Sequence, residues 1–235
     1  MLKSDEPRLL LWPIATAALL CAIFTAACGA THSGLAGTFG GLAVVTLVLP
    51  PLILTSERLS RRAVLAGASI SVVASVWLLL PIAWVQWWEC TALLCSYAIA
   101  IAGSVCLLQS LGTNGIAASA IVVASALAWL TWPIWLSPYL AGRQSLVNWL
   151  VFAHPLLTLN GVLIDQGIWT ERPHMYAWTA LNQDVSYLIP TNISWCVILH
   201  ALLGAACVSI GIVFRSTKSK HESTRIDTNL HKSDS

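Results

Sequence analysis

Long stretches without a formal charge limit what this chain can fold into. No Asp, Glu, Lys or Arg occurs between Arg8 and Glu57, and between Arg62 and Arg143 the only one is Glu89. A soluble domain carries about 25% charged residues, whereas this chain has 9% charged and 57% hydrophobic residues. Such stretches belong in lipid, where the backbone must satisfy its own hydrogen bonds and only helices and closed barrels can cross. The runs do not alternate apolar and polar residues as barrel strands do. The expectation is an all-α, polytopic membrane protein.

About 20 mostly apolar residues cross the hydrocarbon core, and six runs reach that length. They are approximately Leu9–Gly29, Leu35–Thr55, Val64–Gln86, Thr91–Leu111, Gly115–Ser137 and Thr191–Phe214. The chain thus divides into a short amino-terminal segment (1–8), five spans (9–137), an outer region (138–190), a sixth span (191–214) and a tail (215–235). The tail is rich in Ser, Thr, Lys and His and reads as disordered. "TAACG", Thr25 to Gly29, faintly resembles a lipoprotein cleavage box. The apolar run before it is longer than a signal h-region, and Asp5 and Glu6 dilute the basic start, so the first run is read as a retained helix.

Basic residues set the orientation. Lys3 and Arg8 precede the first run, Arg58, Arg61 and Arg62 separate the second from the third, and Arg215, Lys218, Lys220, Arg225 and Lys232 follow the last. Six spans place all three clusters on one face, which the positive-inside rule makes cytoplasmic. Both termini are expected inside, with the protein in a plasma or inner membrane. A net charge of +2 gives no footing for a nucleic-acid partner.

Ser145–Ile164, "SLVNWLVFAHPLLTLNGVLI", is also long enough to cross. A crossing there would put the carboxy-terminal basic cluster on the wrong face and set Asn148, His154, Pro155 and Asn160 at membrane depth. The segment is therefore read as an interfacial or re-entrant helical hairpin between spans five and six, broken at Pro155. Trp84, Trp87 and Trp88 are read as closing the third span, and Trp132 and Trp135 the fifth, with Trp149, Trp169, Trp178 and Trp195 in or beside the outer region. They make an aromatic belt at the outer headgroup level. Gly37 and Gly41 form a GxxxG, and Ala63, Gly67, Ser71 and Ser75 a second small-residue stripe. Such stripes suit packing within one bundle and also suit a dimer interface.

Motifs that carry chemistry are few. There is no GxxxxGK followed by Ser or Thr, no HExxH, no GxSxG, and no CxxC or Cys/His spacing that would imply a metal. Cys21, Cys28, Cys90, Cys95, Cys106, Cys196 and Cys207 fall mostly within apolar runs, where cysteine behaves as a small hydrophobe. His200 is the ionisable candidate inside a span, which suits structural hydrogen bonding, a proton relay or a haem ligand. In the outer segment Asp165, Glu171, Arg172, His174 and Asp184 cluster. Glu171 and His174 would serve as acid and base of an enzyme, but no nucleophile or ligand spacing joins them, and a structural lid fits the same residues.

Two stretches carry a family resemblance. "TSERLSRRAVLAG", Thr55 to Gly67, is similar to the cytoplasmic segment joining spans two and three in type-2 ATP-binding-cassette (ABC) permeases. "PIWLSPYLAGRQSLVNWLVFAHPLL", Pro133 to Leu157, resembles that family's pattern after the fifth span, with His154 in an Asn position. Six spans with both ends inside and a re-entrant helix before the last one match the same family. The resemblance implies a permease half that pairs with a second half and with separate ATP-binding subunits. Glu57, Arg58, Arg61 and Arg62 would then lie at the ATPase contact. It implies no cofactor and no catalytic residue in this chain.

Three functions are consistent with this sequence. The first is the permease-like subunit of an ABC-type exporter. The second is a membrane-anchored structural or assembly protein that docks a partner through its outer hairpin, where His154, Pro155, Asn160, Asp165, Glu171, Arg172 and His174 are the candidate residues. The third is a haem- or metal-binding redox protein using His154, His174 and His200.

Overall fold

A computed structural model of the protein describes residues 34–54, 59–78, 82–163, 188 and 190–233. All secondary structure among them is helical: α1 (Gly34–Leu54), α2 (Leu59–Trp77), α3 (Trp84–Ser110), α4 (Gly115–Trp135), a short 3-10 turn (Ser137–Leu140), α5 (Gln144–Ala153), α6 (Pro155–Val162) and α7 (Ser194–Ser233). Three are long and apolar enough to cross a membrane: α3, α4 and the Ser194–Thr217 part of α7. The helical class and the membrane assignment stand. Six spans are not displayed: Leu9–Gly29 lies outside the described residues, and in α1 the apolar stretch described is Gly40–Leu54.

The third run is divided differently from the sequence expectation. Its helix ends at Trp77, and the next begins at Trp84. Pro81 lies between them, and proline removes a backbone donor and keeps the preceding residue out of helical geometry. Trp84, Trp87 and Trp88 therefore open α3 rather than closing the helix before it. At the other end of the chain, helix continues through Ser233, over a tail that the composition marks as disordered. No glycine or proline follows Gly211 to interrupt it.

Helix α3 touches the most neighbours, α1, α2, α4, α6 and α7. Helix α1 packs on α2, α3, α4 and α6, with Leu42, Val45, Leu49 and Ile53 almost wholly buried. A Cβ at Gly41 would come within 2.5 Å of the Trp77 ring, so the missing side chain is what gives that indole its place. Trp87 ties α3 to α2 by donating its ring N–H to the Ala74 carbonyl at 3.0 Å. Among the described residues the small stripe of α2 faces away from its neighbours: Ala63, Gly67, Ser71 and Ser75 are exposed, and a Cβ on Gly67 would meet nothing within 4 Å.

The most extensive helix pair is α3 with α7. Within Ser194–Thr217 of α7 the buried residues are Cys196, His200, Gly204, Cys207 and Gly211, spaced to make one narrow seam. At its centre a Cβ on Gly103 would lie 2.5 Å from the Gly204 carbonyl oxygen, so two backbones touch with no side chain between them. Tyr97 meets His200, Gly103 meets Gly204 and Ser110 meets Gly211. The matched residues rise together along both helices, so α3 and α7 run parallel. Helix α4 returns after a tight turn in which Gly112 has φ 95° and Asn114 caps the new helix by accepting the Ala117 N–H at 2.8 Å. The beginnings of α3 and α7 and the end of α4 thus share one end of the bundle.

Helices α5 and α6 form a bent pair, with 78° between them at the break. The break falls at His154–Pro155, as the sequence indicates. Its form is an L rather than a closed hairpin. Ala153 at the corner accepts from the Cys196 thiol at 3.4 Å, near the start of α7. The far end of α6 returns to the start of α3, where Gln86 donates its amide to the Val162 carbonyl at 3.1 Å.

Candidate functional site at the bend

Helix α6 is short and wholly buried, and its eight residues include Thr158 and Asn160. A buried helix start must find partners for its free N–H groups. Pro155 at its first position has no N–H to satisfy. His154 supplies the cap, its ring Nδ1 accepting from the Leu157 N–H at 3.1 Å.

The other ring nitrogen repairs a second gap. Pro133 lies within α4, and because it has no N–H, the Trp129 carbonyl four residues earlier loses its helical donor. His154 Nε2 lies 3.0 Å from that carbonyl oxygen. With Nδ1 accepting, Nε2 must carry the proton and donate, which fixes a neutral imidazole in one tautomer. The ring is fully buried and is flanked by Trp129 and by Trp132, whose plane stands at 90° to it. One side chain therefore joins two proline-made defects in different helices.

His200 is also committed to structure. Its Nδ1 lies 2.8 Å from the Cys196 carbonyl oxygen one turn earlier and donates to it. The Cys196 sulfur is 3.6 Å from the same nitrogen, which has the outline of a thiol–imidazole pair. A protonated Nδ1 cannot take the thiol proton, and that thiol is directed at the Ala153 carbonyl, so the pair is not an activated nucleophile. Tyr97 packs edge-on against His200, and its hydroxyl shares a 2.9 Å hydrogen bond with Thr46 of α1. Thr46 in turn donates to the Leu42 carbonyl at 2.9 Å.

Three side-chain atoms near the bend are buried without a hydrogen-bond partner: Trp132 Nε1, Thr158 Oγ1 and Asn160 Oδ1. Each such atom costs about 1–3 kcal/mol unless something fills it. Among the described residues no group of three or more His, Cys, Asp or Glu side chains is placed to hold a metal. Both nitrogens of His154 are occupied, so it is not free to ligate haem iron in this arrangement.

Of the outer candidates, the structure brings His154, Pro155 and Asn160 into one buried corner, while Asp165, Glu171, Arg172 and His174 lie outside the described residues. Of the coupling candidates, Glu57 and Arg58 also lie outside, and Arg61 is exposed. Arg62 faces the bundle, where its guanidinium donates to the Cys106 sulfur at 3.3 Å. Sequence reasoning missed Trp129, Cys196, Thr158 and Gln86. Only Trp129 had a signal, since Pro133 identifies the carbonyl that lacks a donor. Comparison with protein-family models, with curated proteins and with solved structures finds no match.

Proposed function

We propose that the chain is a permease-like membrane subunit of an ABC-type exporter, and that α5 and α6 are its re-entrant element between spans five and six. The observation that carries this reading is the return of the bend. Val162 is bonded to the start of α3, at the bundle end where α4 finishes and α7 begins. A single crossing would leave Val162 at the opposite end. The exposed small-residue face of α2 offers a second permease half a close approach. Energy would come from a separate ATP-binding subunit at the end where α2 begins, near Arg61. Purification from native membranes in mild detergent is expected to recover a P-loop ATPase. Recovery of a complex with no ATP-binding subunit would overturn the proposal.

A second reading, a structural or assembly protein, is favoured by the commitment of His154 and Nδ1 of His200 to backbone carbonyls and caps. Both nitrogens of His154 are held in this way, which takes that ring out of any proton path. Under this reading the same purification yields a stoichiometric partner without nucleotide-hydrolysing activity.

A further inference from the structure

Helices α5 and α7 enclose an apolar groove of about 490 Å³ that opens on the outside of the bundle. This is within the range of small-molecule sites, roughly 300–1,000 Å³. Trp149 and Phe152 line one wall, and Trp195, Leu199 and Leu202 the other. From Trp195 to Leu202 the groove follows two turns of α7, about 10 Å along the helix axis. It is elongated in the direction in which lipid tails lie.

Its polarity changes along that length. The beginning of α5 is its polar side. There Asn148 lines the groove, and its carbonyl oxygen is held by the Gln144 amide at 3.0 Å, which leaves its own N–H groups to donate. Arg143 immediately precedes α5, exposed and without an ion pair among the described residues. Trp149 and Trp195 are 68% and 71% exposed, and indoles settle where headgroups meet tails. Below them the lining is hydrocarbon alone.

We propose that this groove holds one acyl chain of an anionic phospholipid, with the headgroup beside Arg143 and Asn148. Charge complementarity selects the occupant: a guanidinium with no ion pair among the described residues immediately precedes α5, five residues from Asn148, whose free amide donors line a slot that only a hydrocarbon chain matches. Zwitterionic lipid would fill the slot too, but its choline offsets the attraction of its phosphate to the guanidinium. A peptide helix would need a wider trough than two turns of one helix wall provide.

The test uses the full chain in nanodiscs containing phosphatidylglycerol or phosphatidylcholine with a diazirine at the end of one acyl chain. After irradiation, adducts are mapped by peptide mass spectrometry. Adducts are expected to concentrate on Phe152 and Leu199 relative to Leu203 and Ile210, which are exposed elsewhere on α7. Phosphatidylglycerol should label the groove about fivefold better than phosphatidylcholine, the preference that one basic residue near a membrane surface confers. Arg143→Gln, outside the packed core, should abolish that preference while leaving groove labelling by phosphatidylcholine unchanged. Leu199→Trp should fill the slot and remove groove adducts but keep those on Leu203. Adducts spread evenly along α7 would mean bulk lipid only, and would overturn the proposal. Labelling of Leu203 with none in the groove would mean that protein, from this chain or a second copy, covers it, and would overturn it equally.

Discussion

His154 joins two backbone gaps, and the pairing makes its energetics testable. His154→Ala removes a cap worth about 0.5–2 kcal/mol and strands the Trp129 carbonyl at about 1–3 kcal/mol. Thermal unfolding in detergent should therefore show a marked loss of stability, partly recovered by His154→Asn, which retains a capping oxygen. Pro133→Ala would return an N–H to the Trp129 carbonyl, so His154→Ala should cost less in that background. A double-mutant cycle showing simple additivity would sink the link between Pro133 and His154. The importance of His154–Pro155 was legible in the sequence, because proline after a polar residue in an apolar run marks a break. The partner was half-legible: Pro133 marks an orphan carbonyl, but only tertiary packing decides which donor reaches it.

At the scale of helices, close approach rather than bulk holds the bundle together. Gly204→Ala places a methyl 2.5 Å from the Ile99 carbonyl oxygen, which is backbone and cannot swing aside. It should destabilise by about 1–3 kcal/mol, the usual cost of overpacking. Gly67→Ala meets open space and should be neutral or gain up to about 1 kcal/mol of helix propensity in the isolated subunit. Equal effects of the two substitutions on thermal stability would contradict the assignment of the two faces. Spacing alone did not separate these cases. Gly67, Ser71 and Ser75 repeat every four residues and Gly204 and Gly211 stand seven apart; both spacings return to one helix face, and neither says which way that face points. Element boundaries were legible where glycine or asparagine ends a run, as at Gly112 and Asn114. They failed around Pro81, where continuous hydrophobicity on both sides disguised a break as one long span.

For the whole molecule, the parallel course of α3 and α7 fixes which ends share a membrane face. Single cysteines introduced at Ala83, Ala141 and Thr191 should react with an impermeant maleimide from one side, above the background of the unsubstituted chain. One at Thr113 should react from the other. Ala141 and Thr191 labelling from opposite faces would exclude the re-entrant form of the bend. Membrane residence was legible from charge distribution alone, since few folds outside lipid tolerate such long uncharged stretches. Orientation of α7 relative to α3 was expected from the count of basic clusters, and the geometry reaches the same relation independently through Gly103 and Gly204.

The length of α7 has a mechanical consequence. Its 40 residues extend about 60 Å, roughly twice the hydrocarbon thickness. Among the described residues the helix packs on α3 along one seam and on α5 near its start, and residues 218–233 continue it beyond the apolar stretch that ends at Thr217. Its contacts with α3 reach as far as Gly211 and Ser110. A sideways force on the far end of the helix acts at a greater distance from Gly211 than the contacts that resist it, so a small push there becomes a larger torque along the seam with α3.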